Sequence, residues 1–402
     1  MTEVKIERLD HFGRGIGYIN DKIVFIPNAL PDEIVEIEIT KEKKNFLEGK
    51  IIEFKNKSNK RCNSKCPYFL ECGGCNLLHM SYDDTISYKK GKIKSILKKF
   101  NINYENINVV KNPNPYNYRN KIELKIVDGK VGYYKSETHS LVQIDECLMA
   151  SDAINNFIKD ISYLNLINAT VTIRCNYNAE LIIVIETKDN MLIDTKYLAS
   201  NHKIVGIVFN NKVMYGEPYF MELINKRLFR VSYDAFFQIN PYVTSEMFKL
   251  LENNIDDSSI VMDLYAGVGT LGIIASRKAK KVYSVEIVEN AIKDGLVNAK
   301  MNKINNIYFM LGDVAKTITM IKDDIDTIIV DPPRRGLGDN TINFMLNEKP
   351  NKIIYISCDP MTLGRDLNKL LDNYIIREFN IMDMFSFTYH VESMVVLERK
   401  NI

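Results

Sequence analysis

Short apolar runs alternate with stretches of helical periodicity along the last third of the chain. SIVMDLY, KVYSVE, NIYFM, DTIIVD and KIIYIS are each nearly continuous in apolar character and bounded by polar or turn residues. That pattern predicts parallel strands buried on both faces and joined by helices. Two more runs, YIIREFNIMDM and ESMVVLER, predict closing strands. The N-terminal pattern is different. VKIERL, GIGYI, KIVFIP, EIVEIEITKEK and EGKIIEF are short strand-like runs with Gly- and Pro-bearing turns between them, which predicts a small OB-like barrel ending near Lys57. Between these regions, helical spacing runs from Ser81 to Phe100. NKIELKIVDGKVGYY predicts a hairpin turning at Asp128-Gly129, and VTIRC and ELIIVIET predict further strands. The expected fold is an α/β multidomain chain. It has a barrel at 1–57, a central α/β domain from 58–80 and 110–230, and a C-terminal Rossmann-like domain from 81–109 and 231–402.

Composition narrows the class. The 402 residues are 46% apolar and 26% charged, an ordinary globular balance. The opening MTEVKIERLD has no basic-then-apolar leader, and ELIIVIET is far too short to span a bilayer, so a cytoplasmic protein with no membrane partner is expected. A net charge of +2 does not point to nucleic acid. Basic residues do gather in NKSNKR (56–61) and KKGKIKSILKKF (89–100), although on charge alone a lysine-rich helix reads first as a solvated face. Seven cysteines in a long chain of this kind argue for metal binding or catalysis over disulfides.

The candidate chemistry lies at the carboxyl ends of the predicted parallel strands. DLYAGVGTLG (263–272) follows the first strand and opens a helix. Gly267 and Gly269 permit a tight turn close to a ligand, and Glu286 ends the next strand, where a carboxylate can accept from both ribose hydroxyls. Gly267, Gly269 and Gly272 also satisfy G-x-G-x-x-G, so a dinucleotide and S-adenosylmethionine are both open on these residues. Two features favour the methyl donor: Asp263 at the strand end before the glycines, and DPPRRG (331–336) after the fourth strand, which is related to the D/N-P-P of amino-methyltransferases. Asp313, after the third strand, is positioned for an adenine edge.

The fifth strand delivers Cys358, in ISCDP, to the same rim beside Asp331. Alone, such a cysteine reads as a small buried hydrophobe. Beside a carboxylate and a methyl donor it suits methylation of uracil carbon 5. A thiolate adds at carbon 6, and a base later removes the carbon-5 proton so that the thiolate can leave. Glu392, in FTYHVES, is the candidate base. A second cysteine group, Cys66, Cys72 and Cys75, has C-x5-C-x2-C spacing, with Cys147 following later in QIDEC. Four thiolates could hold zinc or a cubane cluster, and spacing does not separate the two. Cys62 is treated as a spare and Cys175 as core.

Taken together, FFQIN (236–240), DLYAGVGTLG, DPPRRG, ISCDP and HVESMVVLE resemble the RNA 5-methyluridine methyltransferases of the TrmA/RumA type. The likeness runs through the whole chain. The barrel looks like the family's TRAM domain, CGGCNLLHMSY like its cluster segment and NYRNKIELKI like its central-domain signature. The resemblance implies that Gln238, Tyr265, Glu286 and Asp331 line the methyl-donor and uridine pockets, that Cys358 is the nucleophile and that Glu392 is the proton acceptor. It implies a [4Fe-4S] cluster on Cys66, Cys72, Cys75 and Cys147 in place of zinc, and a structured RNA substrate: 23S rRNA first, a tRNA T-loop uridine second. No obligate protein partner is evident. Thr270 stands where several members carry Asn and takes no role. A non-catalytic RNA-binding protein and an NAD-linked oxidoreductase are the rival classes. The first would have lost Cys358 or Glu392, and the second leaves S-C-D-P unexplained.

Overall fold

The computed structural model describes residues 2–136, 138–188 and 195–400. The chain forms two compact units. One comprises Met1–Lys92, Gly132–Ile144 and Phe385–His390, the other Ile93–Val131, Asp145–Met384 and Val391–Ile402. No helix among the described residues is long and apolar enough to cross a membrane.

The first unit is built on a six-stranded sheet of Thr2–Lys5, Arg8–Leu9, Gly15–Ile19, Lys22–Ile26, Ile34–Glu42 and Phe46–Asn56. Thr2–Lys5 pairs with Ile34–Glu42 and Arg8–Leu9 with Gly15–Ile19, so both edges of the sheet belong to one segment. The expected first strand VKIERL is therefore two strands, broken where it passes from one partner to the other. Val4, Ile6, Val24, Ile26, Val35, Ile37 and Leu47 fill the interior. Beyond the sheet, buried Glu33 accepts from the backbone N–H of Leu30 at 2.8 Å and of Ser58 at 3.2 Å, and from Arg61 Nη2 at 2.7 Å. These bonds tie a sheet loop to the segment that leads into the cysteines. A buried charge is tolerable when paired and hydrogen-bonded in this way.

The second unit contains an eight-stranded sheet. Its order is Ile307–Leu311, Lys281–Glu286, Ile260–Leu264, Thr327–Val330, Lys352–Ser357, Glu392–Arg399, Tyr374–Met382 and Ile107–Val110. The first five strands are mutually parallel, and Glu392–Arg399 runs antiparallel to both its neighbours. All seven expected strands are present. The edge strand Ile107–Val110, only four residues long, was not expected. Ile93 and Leu97, from the end of helix Tyr82–Lys99, join Ile328, Val330, Ile353, Tyr355, Val395 and Leu397 in the core. A second sheet holds Lys121–Val127, Ala169–Cys175, Leu181–Thr187, Ile204–Phe209 and Lys212–Gly216. The turn at Asp128 and Gly129 has φ of 50° and 75°, as a tight hairpin turn requires.

Gly272 shows how closely helix and strand approach beneath the glycine-rich loop. A Cβ there would lie 2.4 Å from Ser284 Oγ and 2.9 Å from Asp263 Oδ2. Both neighbours are fully buried. Gly272→Ala is expected to destabilise the protein by about 1–3 kcal/mol, measured by denaturant unfolding.

Candidate active site

The order of the parallel strands reverses direction between Ile260–Leu264 and Thr327–Val330, which opens a crevice beyond their carboxyl ends. Strand register arranges the candidate residues along that rim. Leu264 pairs with Val285 and Val330, so Tyr265 continues the row between Glu286 and Asp331. On the antiparallel side Ser357 pairs with Ser393, and one further step along the same register sets Cys358 opposite Glu392. Gln238 precedes Asn240, the N-cap of helix Pro241–Asn253, and Asp313 is the N-cap residue of the short helix Val314–Thr317.

Cys358 owes its place to a strand end meeting a helix start. Asp359 caps helix Pro360–Leu370, its Oδ1 accepting from Met361 N and Thr362 N at 2.9 Å each, with Pro360 at the first helical position. Ser357 Oγ donates to Asp359 O at 3.1 Å. The half-buried thiol stands between two hydrogen-bonded elements.

The glycine-rich loop fits a nucleoside. Tyr265 is held at φ 63° and Gly267 at φ 55°. A Cβ on Gly267 would meet no protein atom within 4 Å, so the loop backbone there faces open space. Glu286 Oε2 accepts from Gly267 N at 2.8 Å, and Oε1 from Ile287 N at 2.8 Å and Val288 N at 2.9 Å. Glu286 thus braces the loop first. A carboxylate has about four acceptor positions, which leaves it room for a ribose hydroxyl. Asp263 is completely buried, with Oδ2 accepting from Gly272 N at 2.9 Å while Oδ1 lacks a protein partner. Burial, then the charges of Asp331 and Glu286, push it up to about 7.

The thiol side of the rim is crowded with acids. Burial, then the charges of Glu392 and Asp331, push the Cys358 thiol up to about 11, while Arg334 opposes the shift. Burial and Asp331 raise Glu392 well above the usual carboxylate range, and burial raises Asp331. Arg334 also opposes the rise at Glu392. Arg334 lies within DPPRRG, and the motif alone gives it no role. The signal was available in the motif, but its meaning depends on which acids the arginine faces.

The cysteine-rich segment behaves differently. Cys72 N donates to Tyr68 O at 2.7 Å, Gly74 N donates to Cys72 Sγ at 3.4 Å, and Cys72 bridges to Lys135. Cys147 is held through its backbone by Asn155, its N–H donating to Oδ1 at 2.8 Å. Among the described residues, no three His, Cys, Asp or Glu side chains are grouped to hold a metal. Cys175 is buried, as expected for core. Two lysines of the basic helix also turn inward: Lys89 Nζ donates to Phe385 O at 2.8 Å and Lys92 Nζ to Tyr389 O at 2.9 Å.

A parallel sheet of this order, with a nucleoside loop and a thiol beside carboxylates at its rim, defines a Rossmann-like methyltransferase. Residues 81–400 match the tRNA (uracil-5-)-methyltransferase family, and residues 2–52 match the TRAM domain. An uncharacterised RNA methyltransferase of Halalkalibacterium halodurans is 31% identical, over 100% of this chain and 97% of its own. Another, from Caldanaerobacter subterraneus subsp. tengcongensis, is 33% identical over 99% and 98%. The crystal structure of Pyrococcus abyssi tRNA (uracil-54, C5)-methyltransferase with S-adenosyl-L-homocysteine has the same fold: TM-score 0.82 at 24% identity, over 98% of this chain and 100% of that one. The chain belongs to the tRNA (uracil-5-)-methyltransferase family. It is an S-adenosylmethionine-dependent RNA methyltransferase with an N-terminal TRAM domain.

The charge arrangement makes a testable statement about Cys358. Below its pKa a thiol's alkylation rate climbs about tenfold per pH unit as thiolate forms. Alkylation of Cys358, followed by peptide mass spectrometry, should keep climbing through pH 9. Arg334→Ala removes a cation that favours thiolate, so it should slow alkylation at fixed pH. A plateau near pH 7 would contradict this account.

Proposed function

We propose that the protein methylates carbon 5 of a uridine in structured RNA through covalent addition of Cys358 to carbon 6. The observation that carries this reading is the register that sets Cys358 opposite Glu392, next to Asp331. When bound, S-adenosylmethionine supplies an electrophilic methyl group. Gly267, Glu286 and Asp313, with Gln238, Tyr265 and Asp331, would hold it and the uridine. Cys358 loses its thiol proton to solvent and adds as thiolate to carbon 6, and the carbon 5–carbon 6 double bond opens, which turns a poor nucleophile at carbon 5 into an enolate. After carbon 5 has taken its new substituent, Glu392 accepts the carbon-5 proton. The carbon–sulfur bond then breaks and the double bond re-forms. The raised affinity of Glu392 for a proton makes its carboxylate the stronger base for that last step, and Arg334 opposes the rise.

The uridine must leave its stack to reach the rim, at a cost of roughly a few kcal/mol, least in a loop. The TRAM sheet and central sheet would supply backbone contacts. The cysteine pattern favours 23S rRNA. A tRNA T-loop uridine is the second reading, favoured by the family's description and by the tRNA uracil-54 substrate of the Pyrococcus abyssi protein. Mass mapping of 5-methyluridine in rRNA and tRNA from a deletion strain separates the two.

Cys358→Ala should abolish transfer while leaving methyl-donor binding intact. Glu392→Gln should still permit addition and transfer but stall elimination. Turnover should drop about 10²–10⁴-fold and a protein–RNA adduct should accumulate on a denaturing gel. Methyluridine production by the first variant, or no adduct from the second, would refute the assigned roles.

No step of this chemistry runs through a metal. The cluster expectation rests on cysteine spacing and resemblance, with Cys66, Cys72, Cys75 and Cys147 as the residues that would hold it. Metal and sulfide analysis after anaerobic purification decides it: about four irons and four sulfides per chain supports the cluster. Zinc alone, or no stoichiometric metal, retires it.

A further inference from the structure

The NYRNKIELKI stretch has no part in the chemistry above, yet it reaches the site through the backbone. Gln238 lies in an irregular segment between strand Arg227–Ser232 and helix Pro241–Asn253. Three carbonyls of that segment are taken by two side residues. Arg174 Nη2 donates to Ala235 O at 2.7 Å, Asn120 Nδ2 to Gln238 O at 3.3 Å, and Asn120 N to Ile239 O at 3.0 Å. Asn120 is itself fixed, because its carbonyl accepts from Cys175 N at 2.8 Å. Asn120 and Arg174 thus sit at the matched ends of two paired strands, Lys121–Val127 and Ala169–Cys175, where Arg174 pairs with Lys121. Nearby, the buried Glu222 carboxylate accepts through Oε1 from Tyr177 N at 3.1 Å and Leu223 N at 3.2 Å.

We infer that Asn120 and Arg174 are positioning residues that fix the peptide carrying Gln238, and through it the pocket for methyl donor and uridine. The inference rests on the proposed role of Gln238. The arrangement is poorly explained by stability alone. Arg174 is 4% exposed and Glu222 1%, and Arg174 Nε and Glu222 Oε2 have no hydrogen-bond partner. Burial pushes Arg174 down to about 10 and Glu222 up to about 7. Buried polar groups left half-satisfied weaken a core, and apolar replacements of similar volume often stabilise it. What the pair supplies is direction. A guanidinium and an amide present donors in fixed planes, and those planes set the orientation of the peptides at 235 and 238–239.

Two measurements on the full chain test this. Hydrogen exchange should rise about tenfold across 235–240 in Asn120→Ala and in Arg174→Met, with the strand Lys281–Glu286 unchanged. Asn120→Ala should lower kcat/KM by up to about a hundredfold, the scale set by misplacing a binding group. In a Gln238→Ala background the same change should have little further effect. Unchanged exchange at 235–240, or an equal loss of kcat/KM in both backgrounds, overturns the inference. If Gln238→Ala alone leaves kcat/KM intact, the proposed role of Gln238 fails, and the exchange result still judges the anchoring.

Discussion

The site depends on the antiparallel insertion of one strand into a parallel sheet. Parallel strands bring only their carboxyl ends to a common rim. Glu392–Arg399 runs the other way, between Lys352–Ser357 and Tyr374–Met382, so it brings its amino end there. A thiol at the end of one strand and a carboxylate at the start of the next in space can then face each other. The register that sets this is fixed by the core, not by the site: Val395, Val396 and Leu397 are fully buried, as are their partners Ile353, Ile354 and Tyr355. A slip of one residue would turn every side chain of that strand to the other face. Hydrophobic packing is therefore what holds the Cys358 thiol and the Glu392 carboxylate in opposition.

That opposition has an electrostatic cost. Asp263, Asp331 and Glu392 are acids raised by burial, and Cys358 is a thiol raised by burial and then by the charges of Glu392 and Asp331. A domain selected only for stability would not gather such groups. Perturbed titration is common where burial and like charges are gathered in one crevice, as they are in many functional sites. Tyr265, held at φ 63° at the head of the glycine-rich loop, adds local backbone strain at the same place.

Much of this was legible in the chain. The parallel strands could be read because strands buried on both faces leave uninterrupted apolar runs, and Cys358 stood out because it falls after such a run and before Asp-Pro. What escaped was whatever depends on partners distant in sequence. VKIERL reads as one strand, and its break follows from exchanging one neighbour for another. Ile107–Val110 is too short to show a period. The three backbone N–H groups that hold Glu286 come from loops whose paths no spacing reveals. The lysines of KKGKIKSILKKF looked solvated, but Lys89 is fully buried on the Phe385 carbonyl.

The local geometry at Cys358 shows why the thiol stays available in such a crowded rim. A residue inside the strand would be locked by ladder bonds and turned into the core, as Ile356 is, completely buried. A residue inside the following helix would point away from the rim. Asp359 ends the first possibility and begins the second, because its carboxylate takes the orphan N–H groups of Met361 and Thr362. Pro360 then needs no hydrogen bond of its own at the first helical position. The strand-to-helix exchange is thereby completed within two residues, and Cys358 is the residue left between them. Helix start, strand end and antiparallel neighbour each follow from ordinary folding rules. Their coincidence at one position leaves a half-buried thiol facing a carboxylate at the rim.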